Sequence, residues 1–482
     1  MARVSSPALN ERALSGVITT VDTVIETLTQ SSAFMAAAVA GFVVALGLIW
    51  FFIASTDRRT LCVGYVLLAF LFEVFIHKQP YFQLGLQIYP NDLLSLLLLA
   101  CMVMGTFTRP LPLKEGALLI WLALGACILT SFAIGLGRYG TAAGTEVREY
   151  FYYWAVGLFC CTADFDEPAL RRIGRWALWT AYGLIGIALY RWIGVAVGLV
   201  PASLLREVGV TSDFRALPSH AALYLSVAAL VATMAWLRGT GGARSGLHAF
   251  IFTAFVLILQ HRSVWIAHLV GLLYLAFQER DALPRRFPWI LAFLLIGGIS
   301  VGIAAIFGYL DPLFEALWAS TISVIDSQSS VTDRVFGWES LVADWASSSI
   351  GTLLLGFPYG HGWRRVIDGR VIEFSPHNFY VDMLLRVGLV GVAILLWANV
   401  MATVHSLRAK VTSEVEYLLL RGMGVILVVA FVYYVPYTGH YVLGAVTGLA
   451  LAQIIRLRRR AAASADRAAT GWRPAAGRIA RG

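Results

Sequence analysis

Ser375-Pro376-His377-Asn378 sits where a long polar loop, residues 309–376, meets a strongly apolar span, 378–405. Titratable residues at such a junction are uncommon in an apolar chain, and these come with the chemistry of a helix start. Ser375 is suited to cap free amides and Pro376 to the first helical position. That reading places His377 and Asn378 in the first helical turn, at the positive end of the helix dipole. The field there disfavours imidazolium. A neutral imidazole can accept a proton, and the same helix end attracts anions. The plainer reading makes His377 a wetted interfacial residue that helps cap the helix, and these residues alone leave it open.

Arginines gather around the same face. Arg148 precedes the span that begins Tyr150-Phe151-Tyr152-Tyr153-Trp154, and Arg262 sits in the tight turn Gln260-His261-Arg262-Ser263. Arg334 opens an amphipathic stretch, and Arg364, Arg365 and Arg370 stand just before His377. A guanidinium holds phosphate oxygens in bidentate fashion. Taken singly, each arginine is equally well read as an interfacial residue snorkelling to lipid. As a set around a helix-start histidine they point to an anion site. Asp382 and Arg386 are four apart on one span and are expected to pair, which makes their role structural. Arg386 lies ~13 Å deeper than His377 on the opposite helix face. Glu146 and Glu149 flank Arg148 and are read as neutralising it. His261 and His361 have no ligand-like partners in sequence, and no metal site is expected. Trp338, Trp345, Phe357, Tyr359, Trp363, Phe374, Phe379 and Tyr380 are read as an interfacial aromatic belt and lid packing, with sugar stacking equally open.

The elements that position these residues follow from composition. The chain has 482 residues, 59% hydrophobic and only 13% charged, with mean hydropathy +0.74. A soluble protein of this size carries about 25% charged residues. Apolar stretches fall near 33–54, 60–76, 92–106, 116–135, 149–163, 174–198, 219–237, 246–260, 263–278, 288–308, 378–405, 418–436 and 440–456. The expected fold is all-α, a polytopic transmembrane helix bundle of about twelve to thirteen spans. It carries one large outer loop of short helices.

The expected organisation is a polar or interfacial segment 1–31, a transmembrane bundle 32–308, a lid loop 309–376, C-terminal transmembrane helices 377–456 and a basic disordered tail 457–482. No cleavable signal peptide is apparent in the polar start. Loops holding Arg58 and Arg59, Arg171 and Arg172, Arg285 and Arg286, and Arg408 alternate with sparsely charged ones. The basic set is read as cytoplasmic, which puts 309–376 outside. The net charge of +9 needs no nucleic acid, because the tail and inner loops suit an anionic leaflet. The five cysteines lie in apolar spans and read as core. Within the lid, Asp333–Ala346 has helical apolar spacing, and Gly356-Phe357-Pro358-Tyr359-Gly360-His361-Gly362 reads as irregular loop. The lid is too small for an independent enzyme domain.

The run from Asp333-Arg334 through Gly356 to Pro376-His377-Asn378 and Arg386-Val387-Gly388-Leu389-Val390-Gly391 resembles the O-antigen ligase/polymerase superfamily. Gln260-His261-Arg262-Ser263-Val264-Trp265 looks like that family's earlier arginine motif, and the resemblance covers residues 210–400. It implies a bacterial inner-membrane glycosyltransferase acting at the periplasmic face, without cofactor or metal. Its donor would be a glycan on undecaprenyl diphosphate. Its acceptor would be another repeat unit for a polymerase, or lipid A-core for a ligase. The resemblance implies catalytic roles for His377, Arg262 and Arg334. Substrate contacts are expected from Arg148, Asn378, Arg365, Tyr380 and Trp338. Polymerisation of O-antigen or exopolysaccharide repeats is the preferred branch, with ligase and lipid-linked glycan flippase as alternatives.

Overall fold

The computed structural model describes residues 58–76, 81–83, 87–108, 116–163, 165–200, 215–307, 330–367, 370–408, 414–437 and 439–469. The span expected at 33–54, the segment 1–31, the first part of the lid (309–329) and residues 470–482 lie outside that set. The described residues are mostly helical. Helices α1 (Arg58–Ile76), α2 (Pro90–Thr108), α3 (Gly116–Tyr139), α4 (Thr141–Thr162), α5 (Glu167–Ala196), α6 (Ser219–Arg238), α7 (Gly242–Ile258), α8 (Arg262–Gln278) and α9 (Leu283–Ile306) precede the lid. Helices α12 (Phe379–Arg408), α13 (Glu414–Tyr433) and α14 (Tyr441–Ala469) follow it. Every expected apolar stretch that falls on described residues coincides with one of these helices.

Among the described residues, five helices, at Arg59–Ile76, Leu118–Tyr139, Glu167–Ala196, Ser219–Arg238 and Phe379–Arg408, are long and apolar enough to cross a membrane. Their neighbours add to an apolar exterior, with Leu269, Leu273 and Phe277 on α8 all more than half exposed. Water would penalise so much exposed apolar surface, whereas lipid does not.

The bundle closes around α4, whose residues from Tyr152 to Cys161 are buried on every side. Close approach of α14 makes this possible. A Cβ on Gly444 would stand 2.1 Å from Tyr153 O, and one on Gly448 2.1 Å from Gly157 O. Small residues four apart let the two backbones touch, which is how helices gain packing energy in lipid. Arg191 on α5 is buried, a charge whose role the sequence left unassigned. It donates to Ala216 O at 2.6 Å, to Phe75 O at 3.3 Å and to Val74 O. The end of α1 and the segment leading to α6 are thereby joined.

The lid contains α10 (Ser330–Ala346) and α11 (Ile350–Leu355). Ser349 caps α11, its Oγ accepting from Thr352 N at 3.3 Å. Two short strands, Arg365–Ile367 and Arg370–Ile372, then pair antiparallel, Val366 opposite Val371, so the lid holds a hairpin beside its short helices. Leu341, Trp345 and Trp363 form a small core that is completed by Leu385 of α12. The lid therefore borrows its core from the bundle, as its size requires.

One expectation is corrected. Residues 457–469 continue α14 instead of being disordered, because an Ala- and Arg-rich run has high helix propensity. The long helix α12 is broken at Gly388, where φ is 64°. There α11 packs so closely that a Cβ would lie 2.3 Å from Leu354 O.

Candidate functional site

The lid is fastened to the bundle at Glu146. Its carboxylate accepts from Gly360 N at 2.6 Å and Gly362 N at 3.0 Å. Arg386 Nη2 donates to the same carboxylate at 3.0 Å and to Gly362 O at 2.8 Å. The guanidinium carbon lies 3.7 Å from the centre of the Trp363 ring, and Arg386 is wholly buried. The expected Asp382–Arg386 pair is thus replaced by Glu146–Arg386. Helix spacing made the intrahelical pair available, but the lid's backbone amides bring a better-placed carboxylate. Asp382 instead accepts from Ser375 Oγ at 3.3 Å. Glu146 does not neutralise Arg148, which lies 3.5 Å from Asp92 and over the Tyr89 ring.

At the lid's exit, α12 begins at Phe379 and Asn378 is its cap. Asn378 Oδ1 accepts from Tyr380 N at 3.0 Å and Val381 N at 3.1 Å. The expected start three residues earlier is corrected accordingly: an Asn side chain satisfies first-turn amides better than a more distant Ser. Asn378 is buried and committed to that cap, so its expected substrate contact is not supported. His377 stands just outside the helix with φ 50°, a left-handed conformation uncommon for a side-chain-bearing residue. Such backbone costs about 1–3 kcal/mol and persists where its surroundings over-determine it. Here Trp338 Nε1 donates to Pro376 O at 2.6 Å on one side, and the Asn378 cap holds the other. Phe379 N donates to Tyr437 O at 2.9 Å and Tyr434 O at 3.1 Å.

The His377 ring is solvent-exposed on one side and walled by protein on the other. Partial desolvation, and then the charges of Arg334 and Arg365, lower its pKa from the ordinary 6.5. The neutral form is favoured, as expected, but by crowding and arginines rather than mainly by the helix dipole. Arg334 reaches Pro436 O at 3.4 Å. Arg262, at the start of α8, feels the charges of Arg215 and Arg334. Arg334 thus lies within electrostatic reach of both His377 and Arg262, and Arg365 within reach of His377.

Arg215 joins this cluster, its Nη2 donating to Gln260 O at 3.4 Å. Its place is set by His261 Nε2, 2.8 Å from Leu217 O, and by Arg191 on Ala216 O. Arg365 is buried, its Nη1 donating to Phe374 O at 2.8 Å and Trp363 O at 3.1 Å. It braces the hairpin and biases His377 by charge. Trp338 likewise positions the Pro376–His377 peptide. Tyr380 is half-buried, and its hydroxyl donates to Phe431 O at 2.9 Å.

Arg148 lies apart from the cluster. It lines a cavity of about 460 Å³ together with Glu73, Glu149, His220, Tyr437 and His440. Tyr437 joins the two regions, since its carbonyl holds Phe379 N while its ring acts on Arg262. The cavity residues Glu73, His220 and His440 lie far apart in sequence, and no spacing rule links them.

Comparison with known proteins finds no matching family model, curated sequence or solved structure.

Proposed function

We propose that the chain is a membrane glycosyltransferase of the O-antigen ligase and polymerase type. It moves a glycan from undecaprenyl diphosphate to an acceptor sugar hydroxyl at the outer face of the bacterial inner membrane. The observation that carries this reading is a histidine of lowered pKa set beside Arg334 and Arg365, with Arg262 and Arg215 behind them. That is a proton acceptor next to an anion cradle, at a junction of lid and bundle.

In this mechanism a ring nitrogen of His377 takes the proton of the acceptor hydroxyl. The freed oxygen attacks the anomeric carbon of the donor as the bond to diphosphate breaks. Arg262 and Arg334 stabilise the negative charge that collects on the departing diphosphate. Direct displacement inverts the anomeric centre. No step calls on a metal. Polymerisation of repeat units remains the preferred branch. A deletion strain separates the branches by its glycans: single repeats on lipid A-core mean polymerase, naked lipid A-core means ligase, and lipid-linked units held on the cytoplasmic side mean flippase. A transporter uses broken helices to line a midplane site. The break at Gly388 packs on lid backbone instead, which supports the enzyme.

Arg262→Ala and Arg334→Ala are each expected to lose about a hundred- to a thousandfold in turnover, the range typical of a lost oxyanion donor. Lysine at either position restores charge without the fork, so recovery should be partial. A reconstituted assay with lipid-linked donor measures both. Full activity in Arg262→Ala would remove it from the anion cradle.

The topology is tested with Ala346→Cys, an exposed position at the end of α10, in a background without the native cysteines. A membrane-impermeant thiol reagent should label it in intact spheroplasts. Labelling only after lysis would place the lid in the cytoplasm and end the reading.

A further inference from the structure

We infer that Glu73, His220 and His440 bind one divalent transition-metal cation of the zinc class in the cavity. Each offers one ligand atom, and the three atoms lie within 4.8 Å of one another. They come from three separate places: α1, the first turn of α6, and the turn before α14. The two imidazoles stack with centroids 4.7 Å apart and planes inclined by 15°, so one ring must turn to bring its in-plane lone pair onto a common ion.

The arrangement around the carboxylate is that of an oriented ligand. Glu73 Oε2 accepts from Asn91 Nδ2 at 3.2 Å and from the Tyr441 hydroxyl at 3.0 Å. Its other oxygen is thereby turned to His440 Nε2, at 3.7 Å. That separation is too long for a hydrogen bond. Two ligands each about 2.1 Å from a common tetrahedral ion stand about 3.4 Å apart, so the gap fits an ion between them. Hydrogen bonds that fix a ligating carboxylate are the usual outer shell of a metal centre. Glu149 lines the same cavity.

An ion pair between Glu73 and His440 is the simpler account of two of these groups. It does not account for the second imidazole's ligand atom standing within 4.8 Å of both of theirs. Val442 N approaches His440 Nδ1 at 3.3 Å, a long bond. Ligation through Nε2 moves the ring proton to Nδ1 and gives that bond up. Two imidazoles and one carboxylate suit zinc, cobalt or nickel better than magnesium or calcium. Three protein ligands leave a fourth position open to the cavity.

The cation would act by position. His440 ends the turn whose carbonyls, Tyr434 O and Tyr437 O, hold Phe379 N next to the Asn378 cap and His377. Binding would clamp that turn to α1 and α6. The site does not depend on the transferase reading, and its test does not use transfer.

Full-length protein freed of any affinity tag is purified in detergent, stripped with chelator, then dialysed against Zn2+ or Co2+. One equivalent of metal should remain, cobalt should give the visible absorption of a low-coordinate nitrogen and oxygen site, and the melting temperature should rise. His220→Ala and Glu73→Gln should each lose the equivalent while eluting as monodisperse protein. X-ray absorption of the zinc-loaded wild type should report two imidazoles and no sulfur. Metal well below one equivalent, one equivalent retained in both variants, or sulfur ligation would each overturn the site. The wild-type spectrum decides the matter even if a variant fails to fold.

Discussion

His377→Ala is expected to lower turnover by about a hundredfold or more, as loss of a general base typically does. The protein should still insert and fold. The His377 side chain is exposed, and alanine relieves none of the contacts that hold the loop, which run through Trp338, Asn378 and the Phe379 amide. Donor should still bind, since the arginines remain. The wild-type rate should hold level at neutral pH and fall as pH drops through the pKa of His377, because the protonated ring accepts no proton. Desolvation and the charges of Arg334 and Arg365 lower that pKa from 6.5, so the acid limb should lie below the ordinary histidine range. Arg334→Gln removes one of those charges and should move the limb of the residual rate toward higher pH. A structural role for His377 would leave both the rate and the limb unmoved. In that case the search for the base would turn to Glu339, Asp344 or Glu373.

The helices were legible because apolar length is a one-dimensional signal. Stretches such as 219–237 and 263–278 needed only composition to be found, and each is a helix here. The irregular Gly356–Gly362 loop was legible from glycine and proline alone. The hairpin was in principle readable, since Asp368-Gly369 between two Val-Ile pairs is a turn signal, but its strands are shorter than the runs that usually mark a sheet. The candidate site was legible in part. His377, Arg262 and Arg334 stand out because charge at the edge of an apolar span is costly, and the chain brings them together. Arg215 carried the same kind of signal, but nothing in its neighbourhood tied it to Arg262. That tie comes from buried hydrogen bonds made by Arg191 and His261 to the backbone of residues 216–217. The capping by Asn378 and the peptide anchoring by Trp338 were not legible, since they depend on where a helix starts to within one residue. The grouping of Glu73, His220 and His440 was invisible, because residues drawn from two helices and a turn far apart in the chain leave no pattern in sequence.

Arg386→Ala is expected to be among the most destabilising single changes in the lid region. Arg386 is wholly buried, and its removal strips Glu146 of the only cation within ion-pairing distance among the described residues. Breaking a buried pair by deleting one partner costs about 3–5 kcal/mol, because the other charge stays behind in a dry place. The same change leaves Gly362 O without its Arg386 donor and removes the cation from the face of Trp363. Thermal unfolding in detergent should therefore shift down clearly, and a Tm within a degree of wild type would mean that Glu146 and the lid do not depend on this arginine. Turnover should fall with stability. Trp363 O is one of two carbonyls that seat Arg365, and Arg365 is one of two arginines acting on His377. Arg386→Lys keeps the charge but cannot reach Glu146 and Gly362 O while also lying flat on the ring, so its recovery should be incomplete. Combining Arg386→Met with Glu146→Leu removes both charges and should regain part of the lost stability. It should not regain the turnover, because the Gly360 and Gly362 amides would still lack the carboxylate that fastens the lid. That split between recovered stability and unrecovered rate is what separates a lid anchor from an ordinary core pair.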